Sequence, residues 1–157
     1  MAEDWSHIAG RLVPGGHVLP VRIYFEDTDF SGVVYHGSYI RFMERGRSDF
    51  VRLLGVAHTA LDAGDHGEPL VFAVHRIDIG FFKPARIDDL VEVTTLVKAV
   101  TGARLILNQT VTRDGERLTD AEVTIVLVNR EGRARRIPDS LRETLHSAAV
   151  ATGVSVD

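Results

Sequence analysis

One amphipathic helix followed by a long run of strands is the pattern that most constrains this chain. Tyr39, Phe42, Met43, Gly46, Phe50, Leu53 and Leu54 recur at helical spacing on one face, and Arg41, Glu44, Arg45, Ser48, Asp49 and Arg52 mostly fill the rest. The helix should begin near Gly37 and end before Gly55, a residue type suited to a C-terminal cap. Beyond a short second helix and loop over residues 56–67, the segments 70–82, 90–100, 104–112 and 118–129 read as strands. Lys83-Pro84, Asp88-Asp89, Thr101-Gly102 and Asp114-Gly115 separate them, and Asp114-Gly115 is the clearest hairpin signal. Strands joined by short turns make an antiparallel sheet. A long amphipathic helix needs one large apolar surface, and the concave face of a curled sheet supplies it. The expected class is α+β, with Pro138 and Asp139 opening a short C-terminal helix. Gly46 costs the helix roughly 1 kcal/mol relative to alanine, which is tolerable where a helix approaches a strand closely.

The stretch that leads into the long helix carries the chemistry. Val21, Ile23 and Phe25 alternate with Arg22, Tyr24 and Glu26, so residues 19–26 read as a strand. Asp27, Thr28, Asp29, Ser31 and Gly32 then break it. A carboxylate, Asp29, thus falls in a turn just before a helix N-terminus, and His36 falls at that terminus. First-turn N–H groups lack helical partners and carry partial positive charge. A carboxylate beside donors that can face a developing oxyanion is an arrangement for chemistry. Alternation does not choose between Asp27 and Asp29. The two carboxylates with His36 would be a thin metal site, since no further spaced ligands accompany them. Tyr24, Tyr35 and Tyr39 read as core or pocket wall. Glu44 and Arg47, three apart, read as an ion pair.

Composition bounds the remaining possibilities. The chain has 157 residues, 45% apolar and 25% charged, enough for one domain with one core. A formal charge of −4 argues against general nucleic-acid binding. Without cysteines there is no disulfide, thiolate metal site or cysteine nucleophile. No apolar run approaches membrane-spanning length, and the acidic start is unlike a signal peptide. The expected location is the cytoplasm. Residues 1–17 read as a flexible leader, with Pro14-Gly15-Gly16 as a turn or hinge; 18–147 read as the domain, and 148–157 as a frayed tail.

The run EDTDFSGVVYHGSYIRFMERGR resembles the signature of the hot-dog-fold acyl-CoA thioesterases, closest to the Tol–Pal-associated branch and more distantly to 4-hydroxybenzoyl-CoA thioesterase. The likeness continues through VHRIDIGFFKPARIDD and through residues 120–128, and covers most of residues 18–138. It implies a hot-dog fold, a curled antiparallel sheet wrapped around one central helix. It implies an acyl-CoA thioester hydrolase in which Asp29 is catalytic, as general base or as nucleophile, with His36 beside it. His36 would contribute its backbone N–H to the thioester oxygen, and its imidazole would orient water or Asp29 or protonate the leaving thiolate. Some hot-dog enzymes use a helix glutamate instead, which makes Glu44 a lesser candidate. No cofactor is expected, since coenzyme A is part of the substrate.

Coenzyme A carries phosphates, which calls for local positive charge. Arg130, Arg133, Arg135 and Arg136 form the densest basic run, and the resemblance points to Arg133 and Arg135 within it. Lys83 and Arg86 are a second candidate, near the strand end that the resemblance places toward the substrate. Tyr39, Met43 and Phe72 are expected to shape the acyl pocket. Strand 90–100 has apolar residues in both alternating sets, and residues 125–128 are apolar in succession, so the outer sheet face is expected to need cover. With two open sheet edges, and with the resemblance, the expected unit is a homodimer at minimum, and a homotetramer beyond that. A non-hydrolytic acyl-CoA or acyl-carrier binding protein on the same fold is the alternative function. A hot-dog dehydratase is a weaker one, because its motifs are absent.

Overall fold

The computed structural model describes residues 5, 8–56, 58–65 and 67–150. Strands β1 (Arg11–Val13) and β2 (Gly16–Arg22) come first, then a 3-10 turn (Phe25–Asp27). The long helix α1 (His36–Leu53) and the short α2 (His58–Asp62) follow. Then come β3 (Leu70–Phe81), β4 (Leu90–Thr101), β5 (Arg104–Arg113), β6 (Glu116–Asn129) and α3 (Asp139–Val150). The strands form one six-stranded sheet in the order β1-β2-β4-β5-β6-β3. Every neighbouring pair is antiparallel. This is the α+β hot-dog arrangement expected from the sequence.

Strand alternation builds the core. Val91, Val93, Thr95 and Val97 of β4, and Leu105, Leu107, Gln109 and Val111 of β5, turn inward and are buried. Tyr39, Phe42, Met43 and Phe50 of α1 pack into the same apolar cluster. Leu141, Leu145 and Ala149 of α3 extend it.

At Gly46 the helix α1 lies close against the sheet. A Cβ there would lie 3.0 Å from Val93 Cγ1, 3.1 Å from Thr95 Oγ1 and 3.3 Å from Gln109 Nε2. Gln109 is fully buried and bridges the two layers: its amide donates to the Met43 carbonyl (2.9 Å) and to Thr95 Oγ1 (2.8 Å). Arg47 donates to Gln109 Oε1 at 2.9 Å. The expected Glu44–Arg47 ion pair does not form among the described residues, because Arg47 turns inward to this amide. An i,i+3 pair on a surface is worth only a few tenths of a kcal/mol, less than satisfying a buried amide oxygen.

The expected leader over 1–17 is shorter than its sequence implies. Residues 11–13 and 16–17 are already sheet, and His17 is fully buried. Of the two readings of Pro14-Gly15-Gly16, the turn holds: it is the tight β1–β2 turn, with φ of 81° at Gly15. His17 Nε2 lies 2.6 Å from Asp49 Oδ2, which also accepts from Gly10 N at 2.8 Å, while Arg52 donates to Oδ1 at 2.6 Å. Burial pushes the Asp49 carboxyl up, but these bonds outweigh it and hold it below the usual value. A depressed folded pKa means that this clamp adds stability above the ordinary carboxylate range and loses it as pH falls through the folded value. At the other end α3 continues to Val150 with Ala149 buried, so helix extends into the expected tail; residues 1–4 and 151–157 lie outside the described set.

The two sheet edges differ. β1 is three residues long, whereas β3 offers twelve, with Val71, Val74 and Phe81 about half exposed. The outer face is more polar than expected. Lys98 pairs with Glu122 across it and Asn108 donates to Asp120, alongside half-buried Ile106, Val126 and Val128. Among the described residues, no helix is long and apolar enough to cross a membrane.

Gly46→Val should destabilise the fold by about 1–3 kcal/mol, the scale of overpacking, read as a lower urea midpoint. An unchanged midpoint would show that α1 does not need this close approach.

Candidate active site

The chain leaves β2 at Arg22 and folds into the 3-10 turn rather than continuing as strand to residue 26. Asp27 causes the difference. Its carboxylate is buried and accepts from Tyr24 N at 2.8 Å, closing the turn back on itself. Its carbonyl accepts from Tyr35 N (2.9 Å) and from Ser38 Oγ (3.2 Å), which ties the turn to the first turn of α1. Asp27 is thus occupied in holding backbone.

Asp29 is exposed. It opens a tight turn in which Gly32 N donates to its carbonyl (3.0 Å) and its own N–H donates to Val33 O (2.9 Å). Gly32 closes the turn at φ 83°, a conformation that favours glycine. Ser31 donates twice to Asp29 Oδ1, through its N–H (2.8 Å) and its hydroxyl (2.5 Å). Those bonds hold the Asp29 carboxyl below its usual pKa, and the nearby His36 lowers it further. Nothing in the sequence reading singled out Ser31, although a serine two residues after an aspartate is a known turn pattern.

Helix α1 starts at His36 with Tyr35 as its cap residue, and no side chain caps it. Ser38 N donates to the Tyr35 carbonyl at 2.8 Å, while among the described residues the His36 and Gly37 N–H groups remain donors without a helical partner. Gly37 keeps this end tight: a Cβ there would lie 2.6 Å from the Tyr35 ring. The His36 ring sits 4.4 Å from that of Tyr35 and 6.2 Å, edge-on, from that of Phe81. Tyr24 and Tyr35 are exposed, and Tyr39 alone of the three is buried. The Tyr39 hydroxyl accepts from Ala85 N at 2.9 Å, fastening the 82–89 loop against the helix. Together Val34, His36, Tyr39, Phe81, Phe82, Lys83 and Pro84 line a pocket of about 300 Å³.

The structure brings Lys83 to this pocket, where its ammonium pairs with Glu116 at 3.0 Å. Arg117 lies 4.6 Å from the Phe82 ring centroid and adds a second cation that the sequence did not flag. Arg133 and Arg135 are elsewhere. Leu70 pairs with Asn129 at one end of the β3–β6 ladder and Phe81 with Thr119 at the other. The arginine loop follows Asn129, so about 30 Å of ladder separates it from the His36 pocket within one chain. There Arg135 donates to Glu68 at 2.8 Å. Of the other expected pocket residues, Met43 is core, and Phe72 lines a second groove of about 530 Å³ beside α1 with Ile40, Arg47, Val74, Ile77 and Ile125. Glu44 borders that groove and not the His36 pocket.

Asp27→Ala should cost about 1–3 kcal/mol of stability by orphaning the Tyr24 N–H, while Asp29→Ala should stay within about 0.5 kcal/mol of wild type. Urea titration of both variants separates the two aspartates. Equal losses would contradict the division between a buried structural carboxylate and an exposed one.

Residues 23–145 match the model of the thioesterase-like superfamily. An acyl-CoA thioester hydrolase YbgC of Escherichia coli O6:H1 is 36% identical over 124 residues, covering 78% of this chain and 90% of the relative. The acyl-CoA thioesterase YbgC of Haemophilus influenzae is 36% identical over 118 residues, covering 75% and 85%. The crystal structure of a probable thioesterase from Bartonella henselae superposes with a TM-score of 0.76 at 44% identity, covering 78% of this chain and 99% of that one. A family match over most of the chain, joined to relatives alike in length and in fold, makes this protein a member of the thioesterase-like superfamily.

Proposed function

We propose that this protein hydrolyses acyl-CoA thioesters to a free acid and coenzyme A. The observation that carries the reading is the exposed Asp29 carboxylate, held below its usual pKa by Ser31 and within the electrostatic reach of His36, the residue that opens the uncapped α1 and lines the aromatic-walled pocket. The names of the curated relatives support the substrate class. In the proposed reaction the thioester oxygen faces the first N–H groups of α1, which stabilise the oxyanion as it forms. As general base, Asp29 takes a proton from water while the water oxygen attacks the carbonyl carbon; as nucleophile, it attacks that carbon itself and water then opens the anhydride. In both routes the carbon–sulfur bond breaks and the thiolate leaves with a proton, which the His36 imidazole supplies in this scheme. The scheme uses no cofactor beyond the coenzyme A of the substrate, and the cytoplasm is the compartment that fits it.

Among the described residues no strand lies beyond β3 in the sheet, which favours a second copy of the chain as its cover. A long, partly apolar edge invites strand pairing, and the apolar groove beside α1 opens next to it. A two-fold pairing of β3 with its own copy is antiparallel and isologous. It would carry the loop with Arg133 and Arg135 of one chain toward Phe81 and Lys83 of the other. The nucleotide phosphates of the substrate would then meet Lys83 of one subunit and the arginine loop of its neighbour. We infer a homodimer as the active unit, with Ile106, Val126 and Val128 on the outer faces available to join two dimers into a tetramer.

A screen of short, medium, long and aromatic acyl-CoAs, with free thiol as readout, tests the function. Turnover of at least one class is expected, and no thiol release from any of them would refute it. Across a dilution series, specific activity should fall as light scattering shows dissociation; a fully active monomer would contradict the shared site. Arg133→Ser combined with Arg135→Ser should raise KM for acyl-CoA about tenfold and leave kcat unchanged, because such contacts bind ground and transition states alike. A short thioester lacking the nucleotide should be unaffected. Equal KM values would remove the loop from the site.

A further inference from the structure

The two oxygens of Asp29 are held differently. Oδ1 accepts both the Ser31 N–H at 2.8 Å and the Ser31 hydroxyl at 2.5 Å. Among the described residues no hydrogen bond from another residue reaches Oδ2. The terminal torsion of an aspartate is broad and roughly two-fold, so an unheld carboxylate presents either oxygen in turn. Here the turn backbone is fixed on both sides by the Asp29–Val33 and Gly32–Asp29 hydrogen bonds, and one neighbouring residue grips a single oxygen.

We propose that Ser31 is a positioning residue for hydrolysis: by holding Oδ1 it fixes the plane of the Asp29 carboxylate and leaves Oδ2 as the reacting atom. The proposal rests on the reading of Asp29 as base or nucleophile. In the base route Oδ2 takes the proton of the attacking water; in the nucleophilic route Oδ2 forms the bond to the acyl carbon. The serine hydroxyl keeps its own proton throughout. The same two bonds also lower the Asp29 pKa, and His36 on α1 adds to the effect. Asp27, two residues back, directs its carboxylate to Tyr24 instead. Asp29 is therefore ionised further into the acidic range than an ordinary carboxylate, and losing the hydroxyl moves its titration to higher pH.

The test is the pH profile of kcat and kcat/KM for wild type, Ser31→Ala and Ser31→Thr on one acyl-CoA. Ser31 is exposed, so all three should share one urea midpoint. In Ser31→Ala we expect kcat to fall about tenfold with little change in KM, the scale of a misoriented catalytic group. Its acidic limb should move to higher pH, and Ser31→Thr, which keeps a hydroxyl, should restore both. An alanine variant with wild-type kcat and an unmoved acidic limb would overturn the proposal. So would a loss as large as that of Asp29→Asn together with an acyl adduct on Ser31 in the intact mass of the working enzyme, which would make the hydroxyl a nucleophile. Asp29→Asn separates the failures. If it turns over like wild type, the reading of Asp29 falls and this proposal with it. If it is inactive while Ser31→Ala is normal, only the role of Ser31 falls. Adding Ser31→Ala to Asp29→Asn should cause no further loss.

Discussion

The seating of α1 on the sheet at Gly46 is the contact on which the rest of the structure depends. Any side chain at that position would push against Val93, Thr95 and Gln109. With none there, the buried Gln109 amide reaches across to the Met43 carbonyl and receives Arg47. A buried amide left unsatisfied would cost about 1–3 kcal/mol, so this network fixes the helix in one position as well as stabilising it. Because α1 is a rigid rod, fixing its middle also fixes its N-terminal turn. That turn carries the uncapped amides, His36 and the wall of the pocket.

The acidic turn is positioned by the same logic at a finer scale. Asp27 spends its carboxylate and its carbonyl on backbone, locking the 3-10 turn to the start of α1. That frees Asp29 from structural work. Tyr39 does the corresponding job on the other side, holding the loop after β3 through Ala85. The Arg113–Asp89 ion pair, 2.7 Å long, and the Arg113 contact to the Pro84 carbonyl brace that loop from β5. The exposed carboxylate thus stands on two rigid elements, and its local freedom is narrowed further by Ser31.

Periodicity made most of the fold legible. The 3.6-residue pattern of α1 and the two-residue pattern of β4 to β6 are direct consequences of burial on one face, and both boundaries and order followed from them. Reading failed where a tertiary partner decided the outcome. Nothing local shows that His17 will be buried against Asp49, thirty-two residues away, so the strands before Val18 read as a leader. Phe25 kept the alternation of a strand, yet the Asp27 carboxylate turned the chain first. Arg47 looked like the partner of Glu44 and instead found Gln109 on a distant strand. At the site, Asp29 and His36 stood out through their resemblance to a family, while the geometry gave a separate reason to prefer Asp29 over Asp27. Ser31 was hidden because a serine in a turn does not by itself show that its N–H and its hydroxyl both close on one oxygen of Asp29. The distance between Lys83 and the arginine loop was equally hidden, since only strand register reveals it.

The central claim is that the exposed carboxylate beside the α1 amides performs the hydrolysis. Steady-state turnover of Asp29→Asn on an acyl-CoA that wild type hydrolyses addresses it most directly, since this change keeps shape and removes only the charge and the proton acceptor. The account predicts a fall in kcat of at least about 10², the usual scale for losing a general base, with an unaltered urea midpoint. A folded Asp29→Asn protein with near-wild-type turnover would contradict it.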